Sequence, residues 1–301
     1  MVVGNAVAVV VTAWLAPGEM VSFLSSLGPH VDFVPNAGNA GDALINVGCM
    51  DALERAGVEF TYWSQSQVET APLGGRTVVM AGGGGLVPPY DTTARFLSIL
   101  KERAGRLVVL PQTVVGHEAL LAGLGPSVTF FGRERPTLEH LAKSAVGGAQ
   151  VLGADDMAFH ADIGRLLGFR VSDHGASIER LRMWAEPRLL SVVAGDRLSA
   201  FRLDAERTSV HVPHLNRDLS SLAFCGMENP GRCRLTSAYF VRYLDCFRTI
   251  ETNRLHVGIA SARLGKRVLL HGNSFFKVGA VYEASLAGPD VDVTYVPAPE
   301  R

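Results

Sequence analysis

Val31-Asp32-Phe33-Val34-Pro35-Asn36-Ala37-Gly38-Asn39-Ala40-Gly41-Asp42-Ala43-Leu44-Ile45 reads as a buried strand, a sharp turn and the opening of a helix. The run Val31 to Val34 favours extended backbone. Beyond the turn, Ala43 to Ala56 carries Leu44, Ile45, Val47 and Leu53 as its apolar positions. Asn36, Gly38, Asn39 and Gly41 let the chain turn tightly and expose its amides. The free N–H groups and the dipole at the helix start favour an anion there, and Asp42 is placed to cap the helix. A capped turn with no ligand accounts for the same residues, so the rest of the chain has to decide.

Short β-rich runs alternate with helical stretches through the first half. Strands are expected at Val31–Val34, Glu59–Trp63, Thr77–Ala81, Leu107–Leu110, Val128–Phe131 and Gln150–Leu152, with helices at Ala43–Ala56, Thr92–Ala104, Glu118–Gly123 and Pro136–Ser144. Such alternation predicts an α/β fold with a mostly parallel sheet covered by helices on both faces. Ligands of such sheets sit beyond the carboxyl ends of the strands. The loop Asn36 to Asp42, the glycines Gly82, Gly83, Gly84 and Gly85, the segment Pro111-Gln112-Thr113 and the pair Arg133-Glu134 all fall at expected strand ends.

A second unit is expected from about Pro187, with strands at Leu189–Ala194, Ser209–Val212 and Arg267–His271 and helices at Thr236–Phe247, Leu255–Leu264 and Phe276–Leu286. The domains are therefore drawn as residues 1–163 and 187–301, with 164–186 as the crossing segment.

The chain of 301 residues is 48% hydrophobic and 19% charged, with 28 Lys and Arg against 29 Asp and Glu and a net charge of −1. That balance supplies no global field for nucleic acid, so an anionic substrate needs a local cluster. The apolar run Val7 to Leu15 lacks a preceding cation, is followed by Pro17 and is too short to span a bilayer. It is read as a strand or helix of the first domain, and no transmembrane segment is expected. Cys49, Cys225, Cys233 and Cys246 form no CxxC pair, and their spacing to His211 and His214 is irregular. No metal site is expected, and a cytoplasmic protein with reduced thiols is the simplest reading.

Thr252-Asn253-Arg254-Leu255-His256 puts a fixed cation and an imidazole at a helix start, a poor place for cations by dipole alone. An anionic ligand nearby explains that arrangement; an exposed first turn with solvated charges explains it equally, and His256 alone is also explained as a core histidine bonded to a carbonyl. Arg133 offers a second cation, or a surface ion pair with Glu134 or Glu139. Lys277 offers a third, or the solvated side of the last helix. The four glycines after a buried strand permit close approach of a ligand, or simply a turn.

These motifs together resemble the polysaccharide pyruvyl transferase family. The resemblance rests on Gly38-Asn39-Ala40-Gly41-Asp42, the Gly-rich turn Ala81 to Leu86, Arg133-Glu134, Arg254-Leu255-His256 and the closing stretch Asn273 to Tyr282. It spans about Asn36 to Leu286. It implies two Rossmann-like domains facing across a cleft, as in GT-B glycosyltransferases, and transfer of pyruvate from phosphoenolpyruvate to a pair of sugar hydroxyls. Phosphoenolpyruvate is then a co-substrate, with no bound cofactor. Arg133, Arg254, Leu255 and His256 inherit a donor-binding role by position, with Lys277 as a further cation. His256 is the expected acid, and Asp42 or Glu134 the expected base. Gly38, Asn39, Gly41, Asp42, Gly83, Gly84 and Gln112 would line the cleft. The acceptor is a saccharide; a lipid-linked one would bring the protein to the inner face of the membrane. A GT-B-like glycosyltransferase with a nucleotide-sugar donor is the alternative.

Overall fold

The computed structural model describes residues 13–88, 90–144, 147–170, 177–204, 211–273 and 276–298. The chain divides into two compact units, residues 1–37 with 49–157 and residues 38–48 with 158–301.

In chain order the first unit carries β1 (Trp14–Leu15), α1 (Pro17–Ser25), β2 (His30–Val34), the helix α2 (Ala40–Arg55), β3 (Glu59–Tyr62), β4 (Thr77–Met80) and β5 (Gly83–Leu86). Then follow α3 (Thr92–Arg103), β6 (Arg106–Val114), α4 (Glu118–Ala122), β7 (Val128–Gly132), α5 (Arg135–Lys143) and β8 (Gln150–Ala154). The first turns of α2 belong to the second unit and its last residues to the first. The strands form an eight-stranded sheet in the order β1-β8-β7-β6-β4-β2-β3, with β5 also on β6. Every described pairing in it is parallel. From β2 the chain proceeds to β3 on one side, then returns past β2 to β4 and runs outward through β6, β7 and β8. The order therefore reverses between β2 and β4, where Asn36 and Ala81-Gly82 leave the sheet.

The unbroken apolar runs fit this architecture. Leu107, Val108, Val109 and Leu110 are all buried, as are all residues of β7, because a parallel sheet is covered on both faces. Val78, Met80, Leu107, Val109, Val128, Phe130 and Val151 pack with Phe96, Leu97 and Leu100 of α3, Leu121 of α4 and Leu138 and Leu141 of α5. Each such fully buried side chain contributes roughly 1.5–3 kcal/mol of transfer free energy.

After a 3-10 turn at Met157–His160, where the first unit gives way to the second, the second unit carries α6 (Ile163–Gly168), α7 (Ser177–Val193), β9 (Arg197–Ala200), α8 (Leu219–Leu222), α9 (Pro230–Asp245), β10 (Thr249–Thr252), α10 (Leu255–Arg263), β11 (Arg267–His271), α11 (Lys277–Val281) with a π turn at Tyr282–Leu286, and β12 (Val293–Val296). Its four-stranded sheet has the order β12-β11-β10-β9 and is parallel throughout. Ile250, Val268, Leu270 and Leu198 are buried on the sheet, and α9 is buried along most of its length from Cys233 to Leu244. Asn229 caps α9 by accepting from the Arg232 N–H at 3.0 Å.

Several expected elements differ. Leu189–Ala194, read as a strand, lies at the end of α7. Met183, Pro187 and Leu190 point inward at helical spacing, whereas Leu189, Val192 and Val193 are exposed. An apolar run alone does not separate the two periods. The expected crossing segment 164–186 holds α6 and the start of α7, apart from residues 171–176, which lie outside the described residues. Of the run Val7 to Leu15, Trp14–Leu15 form β1 and residues 7–12 lie outside the described residues; so do 209–210 of the expected strand Ser209–Val212. The glycines expected as a turn after β4 include a strand: Gly83 pairs with Gln112 and Leu86 with Val114. Among the described residues no helix is long and apolar enough to cross a membrane.

Gly82 shows how tightly β6 is approached. A Cβ on Gly82 would lie 2.2 Å from the Pro111 carbonyl oxygen, a backbone atom that cannot yield without moving the strand. Gly82→Ala is expected to cost about 1–3 kcal/mol, seen as a lower urea midpoint. Gly18→Ala, where the added Cβ meets nothing within 4 Å, is the matched control and should leave the midpoint nearly unchanged.

Candidate functional site

Parallel pairing delivers functional side chains to the carboxyl edges of both sheets. In the first unit the edge beyond β6, β7 and β8 holds a closed polar cluster. Arg133 is buried, donating from Nη1 to Asp156 Oδ2 at 2.5 Å and from Nε to Thr113 Oγ1 at 2.8 Å, with Glu134 Oε2 3.6 Å from Nε. Glu134 accepts from Thr113 Oγ1 at 3.2 Å and from Thr137 Oγ1. Burial pushes the Glu134 carboxyl up to about 7, against the opposing pull of Arg133 and the two threonine hydroxyls; the Asp156 carboxylate adds to the rise. Arg133 was expected to clamp an anion. Its guanidinium is instead committed to carboxylates of its own unit and is closed to solvent, with 1% of its surface exposed. Glu134, an expected base, is equally enclosed. Glu139, the alternative partner considered for Arg133, pairs with Arg135 at 2.8 Å. Asp156 was missed, although its place directly after a buried strand was a readable signal.

Gln112 is buried nearby in sequence order, donating from Nε2 to the Ala81 carbonyl at 3.1 Å, while its Oε1 has no hydrogen-bond partner. Gly83 is buried and Gly84 partly so. In the loop before α2, the Asn39 N–H donates to Asp42 Oδ2 at 2.9 Å and the Gly41 N–H to Asn39 Oδ1 at 2.9 Å. Asn39, not the expected Asp42, is therefore the cap of α2; Asp42, in the first turn, closes the capping box by accepting from the Asn39 N–H, and Gly38 is exposed before them.

The second unit gathers charge at the ends of three adjacent strands. Arg202 and Asp204 follow β9, Asn253 and Arg254 follow β10, and Lys277 follows β11. The turns are tied together: Thr252 Oγ1 donates to the Ala200 carbonyl at 2.7 Å and accepts from the Arg254 N–H at 3.0 Å, and Asn253 Oδ1 accepts from the Arg202 N–H at 2.8 Å. Arg202 grips Asp204 with both forks, Nε to Oδ1 at 2.7 Å and Nη2 to Oδ2 at 2.9 Å. Arg254, only 8% exposed, reaches Asp204 Oδ2 at 3.1 Å and Asp218 Oδ2 at 2.6 Å, both from Nη2. Its Nε is buried with no hydrogen-bond partner, as is Asp218 Oδ1.

Leu255 is buried in the first turn of α10, so its part is packing. His256 follows, and the start of α2 lies directly against it: a Cβ on Gly41 would stand 2.8 Å from its Nδ1. The expected loop Gly38 to Asp42 and the expected acid His256 therefore meet within the second unit. Lys277 is largely buried at the start of α11; Ser274 and Phe275 of the same motif lie outside the described residues. Cys49, Cys225, Cys233 and Cys246 form no disulfide. Among the described residues no three His, Cys, Asp or Glu side chains group as metal ligands. Sequence reading missed Arg202, Asp204 and Asp218, because β9 was not recognised ahead of them.

The raised Glu134 carboxyl has a stability consequence. Its folded-state value near 7 lies above its ordinary 4.5, so the folded chain holds this proton more tightly than the unfolded one. Its contribution is fully present below about pH 4.5 and is lost as pH rises through about 7. Glu134→Gln, which cannot ionise, should therefore gain on the parent protein between pH 5 and pH 8, by up to about 3 kcal/mol. Urea unfolding at the two pH values measures it; a constant difference between the two proteins would show that Glu134 does not titrate there.

No protein-family model matches the chain, and no curated protein matches it. Among solved structures, the chain is similar to the crystal structure of a functionally uncharacterized protein from Klebsiella pneumoniae subsp. pneumoniae, with a TM-score of 0.73 at 22% sequence identity, over 92% of this chain and 97% of that one. That likeness is one of fold.

Proposed function

We propose that this chain is a pyruvyltransferase, carrying pyruvate from phosphoenolpyruvate to a pair of sugar hydroxyls, and that its two α/β units are the Rossmann-like domains of a GT-B-like enzyme. The observation that carries the reading is Arg254: a buried guanidinium at a strand end, with Nε left without an acceptor. Phosphoenolpyruvate bears a carboxylate and a phosphate, the groups that a planar guanidinium fork binds best. Arg202 and Lys277, at the ends of the two neighbouring strands, add positive charge on the same edge. The donor clamp is assigned to Arg254 rather than to Arg133, whose hydrogen bonds serve Asp156 and Thr113.

The reaction adds a proton to the methylene carbon of the donor, while a sugar oxygen bonds to the neighbouring carbon. Phosphate then leaves with the C–O electron pair, and the second hydroxyl closes the ketal ring. His256, two residues beyond Arg254, is assigned the proton transfer, since an imidazole nitrogen can both give and take a proton. Asp42, in the first turn of α2 next to Gly41, is the carboxylate assigned to the sugar hydroxyl. The acceptor saccharide is met in the cytoplasm, or at the inner face of the membrane if it is lipid-linked.

A thermal-shift series tests the donor. Phosphoenolpyruvate should raise Tm by mass action, and Arg254→Lys should abolish the rise, because an ammonium cannot make the forked contact. Stabilisation by nucleotide-sugars and not by phosphoenolpyruvate would replace this reading with the glycosyltransferase one. For the acid, His256→Asn should lower turnover about 10²-fold or more with donor affinity nearly unchanged. Turnover near that of the parent protein would remove His256 from the chemistry.

A further inference from the structure

Asp218 is paired to Arg254 in an incomplete way. The two side chains meet through one contact, Nη2 to Oδ2 at 2.6 Å, and the atoms that a forked pair would also join, Arg254 Nε and Asp218 Oδ1, are both buried without a partner. A buried ion pair with half of its hydrogen bonds unmade offsets little of its desolvation cost. Asp204 differs: Arg202 holds both of its oxygens. Asp218 also has room to leave. It lies just before the four-residue helix α8 and borders an open pocket of about 410 Å³ lined by Asn216, Arg217, Asp218, Ser221 and Leu222. Charge points the same way. The two arginines and two aspartates of the cluster sum to zero, and the departure of Asp218 adds one net positive charge to that of Lys277 on the same edge.

From this geometry we propose that Asp218 is a displaceable counter-ion of the donor site. It neutralises Arg254 while the site is empty, turns into the adjoining pocket when phosphoenolpyruvate arrives, and yields both Nε and Nη2 to the donor's oxygens. Asp204 stays on Arg202. The inference rests on the assignment of Arg254 as the donor clamp. It makes Asp218 a residue that holds the affinity for the donor down and restricts the site to ligands able to satisfy both nitrogens of the fork.

Calorimetric titration of phosphoenolpyruvate into the full chain and into Asp218→Asn separates the possibilities. The amide keeps the shape and removes the competing charge, so the variant should bind about tenfold more tightly than the parent. Equal or weaker binding by the variant, with binding by the parent intact, would make Asp218 a structural partner and overturn the proposal. Binding by neither protein would instead overturn the donor reading beneath it. Should the variant fail to fold, the parent protein answers through amide exchange. The Leu203 N–H donates to Asp218 Oδ2 at 3.3 Å, so its exchange should speed up when phosphoenolpyruvate binds. Slower or unchanged exchange at Leu203 in the donor complex would overturn the displacement.

Discussion

Parallel strand pairing releases every strand of a sheet at the same edge, and the placement of this protein's buried charges follows from that constraint. Parallel strands need crossover helices, the helices bury both sheet faces, and most of the buried charge gathers at the strand ends. In the first unit that edge receives Gln112, Arg133, Glu134 and Asp156. In the second it receives Arg202, Asp204, Arg254 and Lys277. The register is the organising fact: Ala200 and Thr252 are paired across β9 and β10, and this brings the Arg202 and Arg254 turns side by side.

Two buried arginines then meet opposite fates. Arg133 is enclosed by Asp156, Thr113 and Glu134, and its removal would leave buried carboxylates unmatched, at about 3–5 kcal/mol. Such a cluster fixes the loops after β6, β7 and β8. Arg254 is buried almost as deeply, yet both of its carboxylate contacts crowd onto Nη2 while Nε faces none. A guanidinium kept in place by the backbone turns around it, but left partly unsatisfied, is preorganised for an anion. The same residue type is fully paired in one unit and partly unpaired in the other, and the partner geometry separates them.

Much of the first unit was legible in the sequence, because strands such as Leu107–Leu110 and Val128–Phe131 are buried on both faces and read as continuous apolar runs. The second unit was less so. Its strands are four or five residues long with mixed burial, as in the alternating pattern of Thr249–Thr252, and β9, β10 and β12 passed unnoticed. The apolar end of α7 drew a strand assignment because Leu189, Val192 and Val193 stay exposed, and exposed apolar residues carry no period. The sequence marked the loop Asn36 to Asp42 and the triplet Arg254-Leu255-His256 as separate motifs, and the structure sets Gly41 against His256. The pairing of Arg254 with Asp204 and Asp218 was not legible, since charge pairs between distant turns leave no local pattern. The pairing of Arg133 with Asp156 left no local pattern for the same reason, since Asp156 lies a whole helix and strand away.

The central claim is that the Arg254 fork receives the donor, and the Nε–H of Arg254 reports on it directly. In 15N-labelled protein this resonance can be assigned by its disappearance in Arg254→Lys. On addition of phosphoenolpyruvate the Nε–H proton signal should move downfield, as a group without an acceptor gains a charge-assisted hydrogen bond. A signal that stays in place at donor concentrations that saturate the protein would contradict the account.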